Sequence, residues 1–295
     1  MKIDRRAVLA GGVAAGAGLA LGAPAARAQG PKNKGVLKIS SQEWIIPGRD
    51  LAEKIAKMEK WGFDGIEFGG DVVGKEKTYT DAVRNSKLKI SAICLGSLNG
   101  GIVSEDVARR KPAEEELKRV IESAGAVGST GVIYVPAFNG QTKLTNPEIR
   151  KILLDRLPEL GDFAAKAGTR LLLEPLNRGE AYFLRQVADG ASICRDCKSP
   201  GVCVMGDFYH MYIEETSDLG AFISGGKYLH HVHLACIKRT LPGQDGRDFT
   251  NGFAGLKYIG YQDFCSLECG VDGDREVEIP KSVQFLRDQW AKARL

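Results

Sequence analysis

The segment Leu171-Leu172-Leu173-Glu174-Pro175-Leu176-Asn177-Arg178-Gly179-Glu180 passes from three consecutive leucines straight into a carboxylate and then a proline. An apolar run of this length, bounded by polar or Gly/Pro residues, reads as a buried parallel strand. The pattern recurs three times downstream, in Val202-Cys203-Val204-Met205-Gly206-Asp207, in the run from Tyr228 to His233, and in Phe264-Cys265-Ser266-Leu267-Glu268. Four successive strands therefore end in Glu174, Asp207, His233 and Glu268. A charged group closing each of four buried strands is unfavourable unless something gathers those charges. One divalent cation would do so.

Outward from that set, strand and helix patterns alternate along the chain. Upstream, a polar linker (residues 29–34) leads to a first strand at Val36-Leu37-Lys38-Ile39-Ser40. Asp50 is placed to cap a helix carrying Leu51, Ile55 and Met58, which stops at Gly62. Gly65-Ile66-Glu67-Phe68 is a second strand, and a helix over 79–85 leads into the third, Ile90-Ser91-Ala92-Ile93-Cys94. A Glu-rich amphipathic helix over 112–125 precedes the fourth strand, Gly131-Val132-Ile133-Tyr134-Val135-Pro136. Asn146-Pro147 opens a long helical stretch to Gly168, expected to bend at Pro158. Beyond the fifth strand the pattern predicts helices over 181–194 and 218–223, a long loop through Pro242-Gly243, a brief helix before Gly260, and a closing helix over 276–292.

Eight strands, each followed by a helix, predict an α/β fold of the (β/α)8 TIM-barrel type, over an open doubly wound sheet. No G-x-G-x-x-G or P-loop follows any strand, which removes the usual nucleotide signatures. In such a barrel the C-terminal strand ends converge on one mouth, so Glu174, Asp207, His233 and Glu268 share a small volume. Three carboxylates and an imidazole form a mostly hard donor set, suited to Mn²⁺, Mg²⁺ or Co²⁺ better than to a structural zinc. His210, Arg239 and Glu180 lie just past the sixth, seventh and fifth strands, where they would orient the hydroxyls of a polar substrate. By strand alternation His231 shares a face with His233 while His230 points the other way, and both read as packing or supporting residues.

The length of 295 residues suits a single barrel domain, expected to span 29–295. Residues 1–28 read as an export signal: Arg5-Arg6 precede a Gly/Ala-rich apolar stretch, and Ala26-Arg27-Ala28 offers a small-x-small cleavage site before Gln29. The expected destination is the periplasm or the exterior by the twin-arginine route, with no membrane attachment once the signal is removed. The formal charge is +4, and removing Lys2, Arg5, Arg6 and Arg27 against Asp4 subtracts three, leaving about +1 and no electrostatic footprint for nucleic acid. Seven cysteines in an exported chain invite a disulfide reading. Cys94, Cys203, Cys236 and Cys265, however, lie in apparent strands where a buried thiol is expected. Cys194-Arg195-Asp196-Cys197 lacks the second pair that a zinc site needs, and reads as structural or incidental, with a local disulfide as the alternative.

From about residue 38 to 286 the chain resembles the xylose-isomerase-like barrels of the sugar epimerase and isomerase superfamily, most closely the ketose 3-epimerases and hydroxypyruvate isomerases. The resemblance is carried by Glu174-Pro-Leu-Asn-Arg-Gly-Glu180, Asp207-Phe-Tyr-His210, His231-Val-His233 with Arg239, Pro242-Gly243, and Ile259-Gly260-Tyr261 before Leu267-Glu268. It implies that Glu174, Asp207, His233 and Glu268 bind one catalytic metal, most readily Mn²⁺, and that Glu180, His210 and Arg239 contact the sugar. It also implies that Glu174 and Glu268 exchange roles as base and acid on opposite faces of the carbon beside a carbonyl. Such a carbon acid is too weak for a free carboxylate, and a cation bridging two vicinal oxygens stabilises the enediolate.

The expected activity is thus a metal-dependent sugar isomerase or epimerase working on a small-molecule sugar or keto-sugar, with a homo-oligomer compatible with this reading. Two alternatives use the same residues: a keto-sugar or inosose lyase or dehydratase, and a secreted sugar-binding barrel without activity. The apurinic-site endonuclease branch is disfavoured, because every histidine lies at 210 or later, and Cys94 and Pro136 stand near the third and fourth strand ends. The chain departs from the family at Ser40-Ser41-Gln42-Glu43-Trp44 and in the loop around Gln244-Asp245-Gly246-Arg247, segments that shape the substrate pocket.

Overall fold

The computed structural model describes residues 34–294; the export signal expected over 1–28 lies outside the described residues. Eight strands form one parallel sheet: β1 (Lys38–Ser41), β2 (Gly65–Gly69), β3 (Lys89–Gly96), β4 (Val132–Tyr134), β5 (Leu171–Leu173), β6 (Val202–Asp207), β7 (Leu229–Leu234) and β8 (Phe264–Leu267). Their spatial order is β1-β8-β7-β6-β5-β4-β3-β2, so the first strand pairs with the last, from Lys38 opposite Phe264 to Ser41 opposite Leu267. The remaining seam, between β1 and β2, is bridged at Gln42 and Glu67. It is also fastened by Asp64, whose N–H donates to the Ile39 carbonyl (2.7 Å) and whose Oδ2 accepts from the Ile39 N–H (2.8 Å). The result is the nearly closed (β/α)8 barrel that the alternation predicted.

The helices are α1 (Leu51–Trp61), α2 (Glu76–Val83), α3 (Arg110–Ala126), α4 (Asn146–Lys166), α5 (Val187–Cys197), α6 (Phe208–Glu214), α7 (Asp218–Gly225), α8 (Thr250–Ile259) and α9 (Arg275–Lys292). Asp50 caps α1 by accepting from the Glu53 N–H at 2.9 Å, and Gly62 ends the helix at φ 83°, a left-handed turn that glycine adopts without strain. The α4 helix runs through Pro158 from Asn146 to Lys166. It lies so close to the start of β6 that a Cβ on Gly201 would sit 1.9 Å from the Gly161 carbonyl oxygen.

Strand alternation divides the interior in two. Outward-facing Ile39, Ile66, Val132, Leu171, Leu173, Val202, Val204, Val232, Leu234 and Leu267 join the large core between sheet and helices. Inward-facing Ala92, Ile133, Leu172, Cys203 and Met205 form a separate apolar cluster within the barrel. The rest of the barrel interior is polar: Ser40, Glu67, Ser91, His231, His233 and Ser266 are all fully buried, and the Ser40 and Ser91 hydroxyls meet at 2.6 Å. A polar filling in the middle of a core is tolerable only when its members satisfy one another or a ligand.

Three expectations need correction. Residues 181–186 are not helical; α5 starts at Val187, after Leu184 has taken a left-handed φ of 59°. A helix absent from the expected pattern, α6, begins directly after Asp207 because that side chain accepts from the Tyr209 N–H at 2.8 Å. Cys236, expected within a strand, lies past the end of β7. All seven cysteines, Cys194 and Cys197 among them, are free thiols. Among the described residues no helix is long and apolar enough to cross a membrane.

Candidate metal and catalytic site

Adjacent strands place the four strand-end groups in one layer. Asp207 ends β6 directly opposite His233 on β7. The Glu268 N–H donates to the Leu234 carbonyl at 3.3 Å, and the Glu174 N–H to the Tyr134 carbonyl at 3.1 Å. One donor atom from each of Glu174, Asp207, His233 and Glu268 lies within 4.8 Å of all the others. His233 Nδ1 is 3.2 Å from Glu268 Oε2 and 3.5 Å from Glu174 Oε1. Asp207 Oδ1 is taken by the Tyr209 N–H, whereas Asp207 Oδ2 and His233 Nδ1 are buried and lack a hydrogen-bond partner. Unpartnered atoms on Asp207 and His233, with the carboxylates of Glu174 and Glu268 converging beside them, are what a divalent cation satisfies, so the residues present fit one.

The electrostatics agree. Burial, reinforced by the neighbouring Glu268 charge, raises the proton affinity of Glu174 above the ordinary carboxylate range. Burial would also raise Glu268, but the positive charges of His233 and Arg239 outweigh it and hold that carboxyl low. His233 is pulled the other way: burial disfavours its cation, yet Glu67, Glu268 and Glu174 together raise it well above the usual imidazole value. With no metal, His233 carries the compensating proton that a cation would displace.

Around this set stand the three residues expected to contact substrate. Arg239 donates from Nη1 to Glu180 Oε1 (3.2 Å) and from Nη2 to Glu268 Oε2 (2.9 Å), with its guanidinium 4.8 Å above the Tyr209 ring. A left-handed backbone at Arg239 (φ 57°), held by Gly270 N–H donating to its carbonyl at 2.8 Å, turns the side chain inward. Glu180 also accepts from Asn177 Nδ2 at 2.9 Å. His210 Nδ1 accepts from the Asn177 N–H (3.2 Å) and faces Asn177 Nδ2 (2.8 Å). In the neutral ring this leaves the proton on Nε2, 3.4 Å from Asp207 Oδ2. All seven expected residues are therefore brought to one mouth, beside a cleft of about 230 Å³ lined in part by Trp44, Phe68 and Glu268.

Sequence reasoning overlooked Glu67. Its fully buried carboxylate accepts from His231 Nε2 (2.8 Å), His233 Nε2 (3.1 Å) and Gln42 Nε2 (2.9 Å). Burial opposes its ionisation, but the two imidazoles hold it well below the usual carboxylate range. The signal was present: an acid in the middle of Gly65-Ile66-Glu67-Phe68-Gly69 must point into the barrel if Ile66 and Phe68 point out. His231 is the supporting residue expected, and His230 turns away to Asp263 at 2.7 Å.

The chain is 31% identical over 241 residues to 3-dehydro-D-guloside 4-epimerase of Escherichia coli (strain K12), covering 79% of this chain and 92% of that protein. It is 29% identical to L-ribulose 3-epimerase of Methylomonas sp. (strain DH-1), covering 85% and 88% of the two chains. The crystal structure of 3-keto-D-glucoside 4-epimerase from E. coli superimposes with a TM-score of 0.78 at 28% identity, covering 86% of this chain and all of the other. Residues 55–289 match the model of a single protein family, and on that match the chain belongs to the xylose isomerase-like TIM barrel family.

Proposed function

We propose that the protein is a metal-dependent sugar epimerase that inverts a carbinol carbon beside a carbonyl group, and that its substrate is a keto-sugar of the 3-keto-glycoside kind. The observation that carries this reading is the meeting of Glu174 and Glu268, with Asp207 and His233, at one cation site. Similarity to a 3-dehydro-D-guloside 4-epimerase over most of both chains favours a keto-glycoside over a free ketose.

A divalent cation, Mn²⁺ by the hardness of the donor set with Mg²⁺ or Co²⁺ also suited, would supply positive charge beside the carbonyl oxygen and its neighbouring hydroxyl. Glu174, Asp207, His233 and Glu268 would hold it. Glu268, paired with Arg239, takes the proton from the carbinol carbon beside the carbonyl. Glu174, whose burial favours its protonated form, returns a proton on the opposite face, and the reverse reaction exchanges the two roles. Arg239, Glu180 and the Nε2–H of His210 orient the sugar hydroxyls, so that the proton returns to the same carbon and inverts it.

Export by the twin-arginine route, through Arg5-Arg6 and cleavage before Gln29, completes the proposal and places the enzyme where glycosides from outside the cell arrive. The test is incubation of the Mn²⁺-loaded enzyme with a methyl 3-keto-glucoside in D2O. The expected result is deuterium at C4 together with the C4 epimer. Loss of water or of the aglycone without inversion would overturn the assignment, as would no exchange into keto-glycosides or ketoses.

A further inference from the structure

We infer that Glu67 and Gln42 are positioning residues for the metal centre: Glu67 fixes the ring of His233 so that Nδ1 faces the cation, and Gln42 fixes the carboxylate of Glu268. The inference rests on the metal centre of the proposed function and not on the identity of the sugar.

The hydrogen bonds dictate the roles. A ligating imidazole must present a lone pair on one nitrogen and find an acceptor for the N–H on the other. His233 Nε2 lies 3.1 and 3.3 Å from the two oxygens of Glu67, while Nδ1 faces Glu174 and Glu268. The carboxylate of Glu67 can only accept, so the proton belongs on Nε2 and the lone pair on Nδ1. Glu67 is itself held rigid by His231 Nε2 at 2.8 Å and Gln42 Nε2 at 2.9 Å.

The orientation of Gln42 is equally determined. Trp44 Nε1–H donates to Gln42 Oε1 at 2.6 Å, so the amide nitrogen must face the carboxylates. Its two hydrogens then go one to Glu67 Oε1 (2.9 Å) and one to Glu268 Oε1 (3.0 Å). With Oε1 of Glu268 engaged, Oε2 is the oxygen turned toward His233 Nδ1. One amide thus ties the support of a metal ligand to the group that moves the proton. A second cation among Glu67, His231 and His233 is the competing reading, since those residues also approach one another closely. It would require His233 to ligate through both nitrogens and would break three hydrogen bonds.

The proton position and the metal affinity test the role of Glu67 without a substrate, and the role of Gln42 is read in the kinetics. In the ¹⁵N-labelled, Mg²⁺-loaded protein, His233 is expected to carry its proton on Nε2, and calorimetric titration should give one ion per chain. Glu67→Gln offers a single acceptor oxygen and a misplaced NH2, and should weaken Mg²⁺ or Mn²⁺ binding roughly 10–100-fold. Gln42→Ala should leave metal affinity within about threefold, since Glu67 keeps its two imidazole donors and Glu268 keeps Arg239, while lowering kcat roughly tenfold at little change in KM; an unchanged kcat would remove the role assigned to Gln42. A proton on His233 Nδ1, two ions per chain, or unchanged metal affinity in Glu67→Gln would overturn the inference. If Glu67→Gln does not fold, the wild-type proton position still decides it. If the sugar assignment alone is wrong, the metal and NMR results stand unaltered.

Discussion

Replacing Glu268 by Gln isolates the acid/base chemistry from the architecture. The side chain keeps its shape, and the remaining ligands Glu174, Asp207 and His233 still converge on the cation site. What disappears is the ability to accept a proton, a contribution of roughly 10²–10⁴ in rate, or about 3–5 kcal/mol of barrier. Structural loss should be smaller. The amide must turn its NH2 toward either Arg239 Nη2 or Gln42 Nε2, which now sit 2.9 and 3.0 Å from the carboxylate oxygens. One donor–donor conflict costs about 1–3 kcal/mol when buried. Arg239 is one-third exposed and retains Glu180, so the lower end of that range is expected. The assay pairs ¹H NMR of deuterium exchange at the substrate C–H with metal content after dialysis against free metal. Metal retained and exchange reduced at least a hundredfold is the expected pattern. Exchange within tenfold of wild type, with metal retained, would refute the assignment of Glu268 as a proton-transferring group.

Other outcomes follow from the same structure. Because His233 holds a proton well above the ordinary imidazole range, metal uptake must expel it, so apparent affinity should rise about tenfold per pH unit from pH 6 and level off once His233 titrates in the apoprotein; calorimetry across pH showing a flat profile would contradict this. Metal at a hundred times its Kd should stabilise the fold by about 2.7 kcal/mol, read as a fall in Tm on adding EDTA. Gly201→Ala should destabilise by about 3 kcal/mol, since its Cβ would overlap the Gly161 carbonyl, and a Tm unchanged within a degree would rule out the close approach of α4 to β6. Burial pushes the Cys197 and Cys236 thiols up to about 11 and Cys203 to about 12, so Ellman's reagent at pH 8 should react slowly with native protein and find seven thiols after denaturation. A fast native burst would show an accessible thiolate.

The barrel was legible because its strands are short apolar runs with a period-2 partition, and because Asp50, Gly62 and Asn146-Pro147 mark helix ends by local chemistry. The four strand-end groups were legible for the same reason: each terminates a run, and β5, β6, β7 and β8 set them side by side. What sequence patterns missed depended on contacts distant along the chain. Glu67 looks like one acid in a strand until β7, more than 160 residues later, brings His231 and His233 against it. Helix α6 was invisible to periodicity because Phe208-Tyr209-His210-Met211-Tyr212 is poor in helix formers, and its start is set by the Asp207 carboxylate. The start of α5 was misplaced because the turn at Leu184 is left-handed, a conformation that a leucine does not advertise.

The meeting of Gln42 with Glu67 and Glu268 also bears on the order in which the molecule comes into being. Its amide joins residues 25 and 226 positions away, at the seam where β1 closes onto β2 while pairing with β8. During synthesis the first strand must wait for the last to leave the ribosome before either the ring of strands or the proton-moving carboxylate can be finished. A nascent or truncated chain holds only fragments of the centre, and a chain threaded unfolded through a membrane would have to find its cation afterwards. Closure of the ring and readiness for the metal are one late step, and a refolding experiment that follows metal uptake should see it arrive with the final phase and not before.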